Sequence, residues 1–163
     1  MDQLFELAIS VKAAQREIER RLNDAMRPLG LTGPQAEALT VIGQAGPLSL
    51  KQLGDLLIAE AGHPSRLVDR LVDAGLVARE TAGDDRRRID LSLTASGRRL
   101  ERRVETARDE VLALGRTLIG DRDLEPALQL LRELLEVTPF AELIERRREL
   151  MDADAGPLDR SSA

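Results

Sequence analysis

Between residues 49 and 88 this chain of 163 residues gathers side chains able to bind phosphate and read base edges. Ser65, Arg66 and Arg70 fall at helical spacing, with Asp69 and Asp73 on the same stretch. An arginine can direct two parallel N–H bonds at guanine, and a serine hydroxyl reaches bases or phosphate. The alternative for Arg66 is a surface ion pair with Asp69 or Asp73; for Arg70 it is to hold the neighbouring hairpin. Arg86, Arg87 and Arg88 follow in succession on a polar turn. A narrow minor groove has an enhanced negative potential that attracts such arginines, and Arg87 is the first candidate for contact. Asp84 and Asp85 offer the competing outcome, neutralisation within the turn. Ser49 and Lys51 stand at a helix start, where free N–H groups gather and phosphate binds. His63 either meets a base or phosphate or caps the helix that Pro64 opens.

These residues depend on the elements that carry them. Leu4, Leu7, Val11, Ala14, Ile18 and Leu22 recur every three or four residues, which predicts one long amphipathic helix to about Arg27, ended by Pro28 and Gly30. Thr32 with Gln35, and Ser49 with Gln52, have the spacing of capping boxes and open two further helices. Leu67, Val68, Leu71 and Val72 form the inner stripe of the next helix, and Gly75 stands where a left-handed C-terminal residue is wanted. The period then becomes alternating: Ile89, Leu91 and Leu93 are expected to face inward, with residues 76–80 as the partner strand and residues 81–88 as a hairpin loop.

Thr94 caps a long helix with Leu100, Val104, Ala107, Val111, Leu114 and Leu118 in register, stopped by Gly120. A leucine-rich helix is expected over about 124–137, then a turn or two from Pro139 toward Met151, then a disordered tail over 152–163. The long outer helices carry apolar stripes that one small core cannot cover, which points to self-association.

Composition excludes much else. With no cysteine and one histidine, disulfides, thiolate metal sites, a histidine zinc site, a Cys-His nucleophile pair and a thiol switch are all unavailable. No phosphate-cradling or nucleophile-elbow motif is present, so neither an enzyme nor a cofactor is expected. Two phenylalanines are the whole aromatic complement, too few for stacking on single strands, which leaves duplex DNA as the nucleic-acid partner. Net charge is −5, yet residues 79–103 hold eight arginines against five acids, a local balance of about +3. Arg98, Arg99, Arg102 and Arg103 in that stretch read as a solvated helix face. No apolar run would span a bilayer and the first residues lack the pattern of a secretion signal, so a cytoplasmic location is expected.

Together LTGPQAEALTVI, SLKQLGDLL, PSRLVDRLVDAGLVARE and DDRRRIDLSLTASGRRL resemble the multiple-antibiotic-resistance regulator (MarR) family of winged-helix repressors, over roughly residues 30–103. The resemblance implies a mainly α fold with a small β-hairpin wing. It divides the chain into an N-terminal dimerisation helix (1–30), a winged helix-turn-helix lobe (31–95), C-terminal dimerisation helices (96–151) and a tail (152–163). It further implies a homodimer on a pseudo-palindromic double-stranded DNA operator, with residues 64–74 as recognition helix and 82–88 as wing tip, released by a small-molecule effector. The effector-binding residues are unknown, because such a pocket would be lined by ordinary Leu, Ala and Val. Gly62, His63 and Pro64 depart from the family's usual serines and threonines, so no base preference carries over. The competing expectation is a winged-helix protein-interaction module that does not bind DNA.

Overall fold

The computed structural model describes residues 2–58, 64–82 and 85–154, and for residues 82, 85–88 and 154 the backbone course alone. Helix α1 (Gln3–Met26) opens on Asp2, whose carboxylate accepts the Leu4 N–H at 3.0 Å. A short 3-10 turn (Arg27–Leu29) containing Pro28 ends it, and Gly30 reverses the chain at φ 73°. Helix α2 (Gly33–Ala45) begins with the expected capping box: Thr32 Oγ1 accepts the Gln35 N–H, and Gln35 accepts the Thr32 N–H at 2.9 Å. Ala36, Ala38, Leu39, Thr40, Val41 and Ile42 are all buried, so α2 is the central helix of the lobe rather than a surface helix with one apolar stripe.

Around α2 lie a two-residue strand β1 (Leu48–Ser49), helix α3 (Leu50–Leu56), helix α4 (Pro64–Asp73) and the hairpin strands β2 (Val77–Ala82) and β3 (Asp85–Leu93). The sheet is antiparallel in the order β1-β3-β2. Helix α4 ends as its sequence predicts: Gly75 takes φ 68°, its N–H reaches Val72 O at 2.8 Å, and the Leu76 N–H reaches Leu71 O at 2.9 Å. Leu39, Ile42, Leu53, Val68, Leu71 and Leu91 are fully buried and join α2, α3, α4 and β3 in one core. The lobe is therefore mainly helical with a small sheet, as the sequence suggests.

The hairpin differs from the sequence expectation. Residues 81–88 are not simply a loop, because β2 runs on to Ala82 and β3 begins at Asp85. Ile89, expected to face inward, is 52 % exposed, whereas Leu91 and Leu93 are buried. The two inner leucines suffice to seal the sheet against the lobe, and Ile89 lies beyond the edge of that core.

Helix α5 (Ala95–Ile119) is locked onto the hairpin by its first turn. Thr94 Oγ1 donates to Gly75 O at 2.7 Å and accepts the Gly97 N–H at 3.0 Å, while the Thr94 N–H donates to Leu76 O at 3.0 Å. A Cβ on Gly97 would stand 2.0 Å from Leu76 O, so the helix can approach this closely only through glycine. Helix α6 (Glu125–Leu135) and helix α7 (Phe140–Asp154) follow. The segment after Pro139 is thus a helix of 15 residues rather than a turn or two. It carries residues 152–154, expected in a disordered tail, as its last turn; the breaking pair Gly156 and Pro157 comes only later.

Candidate nucleic-acid interface

Helix α4 turns Leu67, Val68 and Leu71 into the core, which leaves Ser65, Arg66, Asp69, Arg70 and Asp73 exposed on its outer face. The i,i+4 spacing of Arg66 and Arg70 puts both guanidinium groups on that face. Among the described residues neither forms an ion pair, so the carboxylates of Asp69 and Asp73 do not tie down Arg66. Asp69 instead pairs with Arg79 of β2, Arg79 Nη2 lying 2.5 Å from Asp69 Oδ1. Among the described residues, the arginine that ties the hairpin to α4 is therefore Arg79 rather than Arg70. Sequence reasoning missed it because the two partners lie on different elements, ten positions apart across the Gly75 turn, where no periodicity connects them.

In the hairpin the pairing steps from Thr81↔Ile89 to Ala82↔Asp85. Arg86, Arg87 and Arg88 fall between these consecutive rungs, so the strand carries its three arginines in an expanded segment like a large bulge. The directions of their side chains, and His63, Gly83 and Asp84 as a whole, lie outside the described residues. Pro64 occupies the first position of α4, where its missing N–H costs nothing.

At the start of α3 the capping box engages Ser49: its N–H and hydroxyl both meet Gln52 Oε1 at 2.9 Å, and its Oγ faces the Gln52 N–H at 3.3 Å. Lys51, in the first turn of α3, is exposed and uncommitted to that box. The arginines of α5 are remote from the outer end of the hairpin. Five residue steps of β2 at about 3.3 Å each place the Val77–Leu93 rung some 17 Å from the Ala82–Asp85 rung. Arg98 there donates to Leu93 O at 2.7 Å and Arg99 to Ser96 Oγ at 2.9 Å, which accords with a solvated face. Among the described residues no group of histidine, aspartate and glutamate could hold a metal ion, and no helix is long and apolar enough to cross a membrane.

An outer helix exposing two arginines, ion-paired to a hairpin carrying three more, is the arrangement of a winged helix. Residues 31–97 match the family model described as a winged helix DNA-binding domain. The chain is 27% identical over 131 residues to the organic hydroperoxide resistance transcriptional regulator of Bacillus subtilis (strain 168), covering 80% of this chain and 89% of that protein. Its fold is similar to that of a mutant MarR from E. coli complexed with operator DNA, with a TM-score of 0.67, 24% identity, and coverage of 85% of this chain and 97% of that one. It is likewise similar to NadR in complex with 4-hydroxyphenylacetate, with a TM-score of 0.65, 23% identity, and coverage of 81% and 94%. The relatives are regulators rather than enzymes, and the lobe assembled around α2 has the winged-helix fold of the MarR structure to which the chain is similar, with residues 31–97 matching a winged helix DNA-binding domain.

Proposed function

We propose that the chain acts as a cytoplasmic homodimeric repressor that binds a pseudo-palindromic operator and leaves it when a small molecule binds. The observation that carries this reading is the exposed Arg66 and Arg70 face of α4, joined through Asp69 and Arg79 to the arginine-bearing hairpin. Ser65, Arg66 and Arg70 contact base edges and adjacent phosphates in the major groove, with His63 and Pro64 at the entry to the helix. Arg86, Arg87 and Arg88 follow the neighbouring minor groove, and Lys51, with the Ser49 turn, meets the backbone. Two such lobes bind half-sites about one helical turn, roughly 34 Å, apart.

Dimerisation is supported by the outer helices. Of the 24 residues of α1 only Met26 is buried, while Leu4, Phe5, Ile9 and Ile18 are exposed. Helix α6 buries nothing and exposes Leu128, Leu130, Leu131 and Leu134. A second copy of these helices is the natural cover, with residues 1–30 and 96–151 as the dimerisation segments and 31–95 as the DNA-binding lobe.

For the effector, a cleft of about 380 Å³ opens between the lobe and α7, lined by Ala45, Pro47, Gln52 and Leu56 on one side and Arg146 and Glu149 on the other. Its size suits a small ligand. The NadR complex with 4-hydroxyphenylacetate supports a ligand-responsive regulator, and the absence of cysteine removes a thiol as the sensor. The test is a gel shift with DNA flanking the protein's own gene. Salt-sensitive binding to one short palindrome is expected, and no binding at any ionic strength would overturn the proposal in favour of a protein-interaction module.

A further inference from the structure

The start of α2 has N–H groups that no carbonyl of its own helix can reach, and three side chains and a proline account for them. The Thr32 N–H donates to Gln35 Oε1 at 2.9 Å and the Gln35 N–H to Thr32 Oγ1 at 3.4 Å, both within the first turn of α2. Pro34 has no N–H to satisfy. The Gly33 N–H is met from another helix: Asn23 of α1 accepts it through Oδ1 at 2.9 Å. A Cβ on Gly33 would stand 2.9 Å from that same oxygen, so a glycine here leaves room for the carboxamide. Asn23 lies one turn before Met26, which is buried in the core of the lobe. Helix α1 therefore meets the lobe at two heights, an apolar one at Met26 and a polar one at Asn23. The first contact alone is a pivot; the second fixes an angle.

We propose that Asn23 is a positioning residue that sets the angle between α1 and the winged lobe, and through it the half-site spacing that the dimer accepts on DNA. This rests on α1 joining two copies and on α4 meeting DNA. Because α2 is buried in the lobe along most of its length, the lobe turns with it. Its 13 residues at about 1.5 Å each make it about 20 Å long, so a tilt of about 10° at Gly33 carries the far end by about 3.5 Å, close to the rise of one base pair. The lobe's other attachment, at the start of α5, brings the Gly97 backbone against Leu76 O and does not yield easily. Asn23 is exposed, so its bond can exchange with water at little cost. The α1 joint is the softer of the two, and the carboxamide of Asn23 is what stiffens it.

The test has one arm that requires neither DNA nor a dimer. The chain contains no cysteine, so Arg16→Cys on α1 and Glu80→Cys on β2, both at exposed positions, accept a pair of spin labels cleanly. Dilution in excess unlabelled chain confines the measured distance to one copy. The same background carries Asn23→Leu, Asn23→Asp, Gly33→Ala or the double variant Asn23→Leu/Gly33→Ala, and thermal melts confirm that each is folded. Asn23→Leu is expected to shift or broaden the label distance by about 3 Å, whereas Asn23→Asp, which keeps an acceptor oxygen, should leave it unchanged. Gly33→Ala displaces the carboxamide and should act like Asn23→Leu, with the double variant no worse than either. In the second arm, fluorescence anisotropy compares operators whose half-sites are moved together or apart by one base pair, beside an isolated half-site. Asn23→Leu should lose about fivefold of the parent's preference for one spacing, Asn23→Asp should stay within about twofold, and the isolated half-site should bind all variants alike. An unchanged label distance in Asn23→Leu, an equal loss at every spacing and on the half-site, or additive effects in the double variant would each overturn the proposal. Failure of the parent to bind any duplex would overturn the DNA reading and the spacing with it, while the label distance still decides whether Asn23 sets the angle.

Discussion

Replacing Gly97 with alanine tests how α5 is joined to the winged lobe. The added Cβ would lie 2.0 Å from Leu76 O and 3.0 Å from Leu76 C, both backbone atoms that cannot rotate away. Ordinary carbon–oxygen contact is more than about 1 Å longer, so α5 or the β2 strand must shift by about that distance. Such a shift breaks the Thr94 N–H to Leu76 O bond and the Thr94 hydroxyl bond to Gly75 O, each worth about 1 kcal/mol net. With about 1–3 kcal/mol for forced overpacking, the expected loss is roughly 3–5 kcal/mol, or a fall in Tm of about 10 °C for a chain of this size. Ser96→Ala, one residue earlier on an exposed position, is the matched control and should lie within about 0.5 kcal/mol. Urea unfolding followed by circular dichroism measures both. A Gly97→Ala protein within about 1 kcal/mol of the parent would refute the close packing of the α5 first turn on Leu76.

Other expectations follow from the same geometry. Arg79→Met removes the exposed pair with Asp69, so stability should change by less than about 1 kcal/mol while operator affinity falls several-fold, a split measurable by thermal melts beside anisotropy titrations. Arg66→Ala should cost about 1–3 kcal/mol on the operator and relax preference at one base position, as read by binding to a panel of single-base operator variants. Ser49→Ala and Thr32→Ala each remove one capping box and should cost about 1 kcal/mol, in additive fashion, in urea titrations. Glu17 on α1 is held down to about 2 by hydrogen bonds from Arg20 and Arg21. Its carboxylate pKa is lowered on folding, so the stabilisation it gives is complete above pH 4.5 and is lost as pH falls toward 2. Glu17→Gln should flatten that part of the helicity profile.

Features encoded within a few residues were legible in the sequence. The two capping boxes and the Thr94 start of α5 follow from side chains that bond to backbone within a turn of themselves, and the Gly75 terminus of α4 from a residue without a Cβ that accepts a positive φ. Features set by distant partners were not. Strand β1 is two residues long and exists because Leu48 pairs with Leu91, a relation that no alternation announces. The extent of the hairpin was hidden because its outer part is polar, so Thr81 and the arginines read as loop although they lie within the paired strands β2 and β3. Helix α7 was underestimated because Arg146, Arg147 and Arg148 interrupt its apolar stripe, yet Leu150 and the half-buried Arg147 are what seat it on the lobe. At the interface the composition of α4 identified its outer face, while the Asp69 to Arg79 tie needed the fold to bring β2 beside it.

The most direct measurement is the salt dependence of operator affinity for the parent chain and for Arg87→Ala, followed by fluorescence anisotropy from low to physiological ionic strength. A hairpin arginine that neutralises a phosphate releases about one counterion, so the two hairpins of the proposed dimer should flatten the slope of log K against log salt by about 2 and weaken all sequences alike. An unchanged slope and affinity would contradict the claim that the hairpin and α4 grip DNA together.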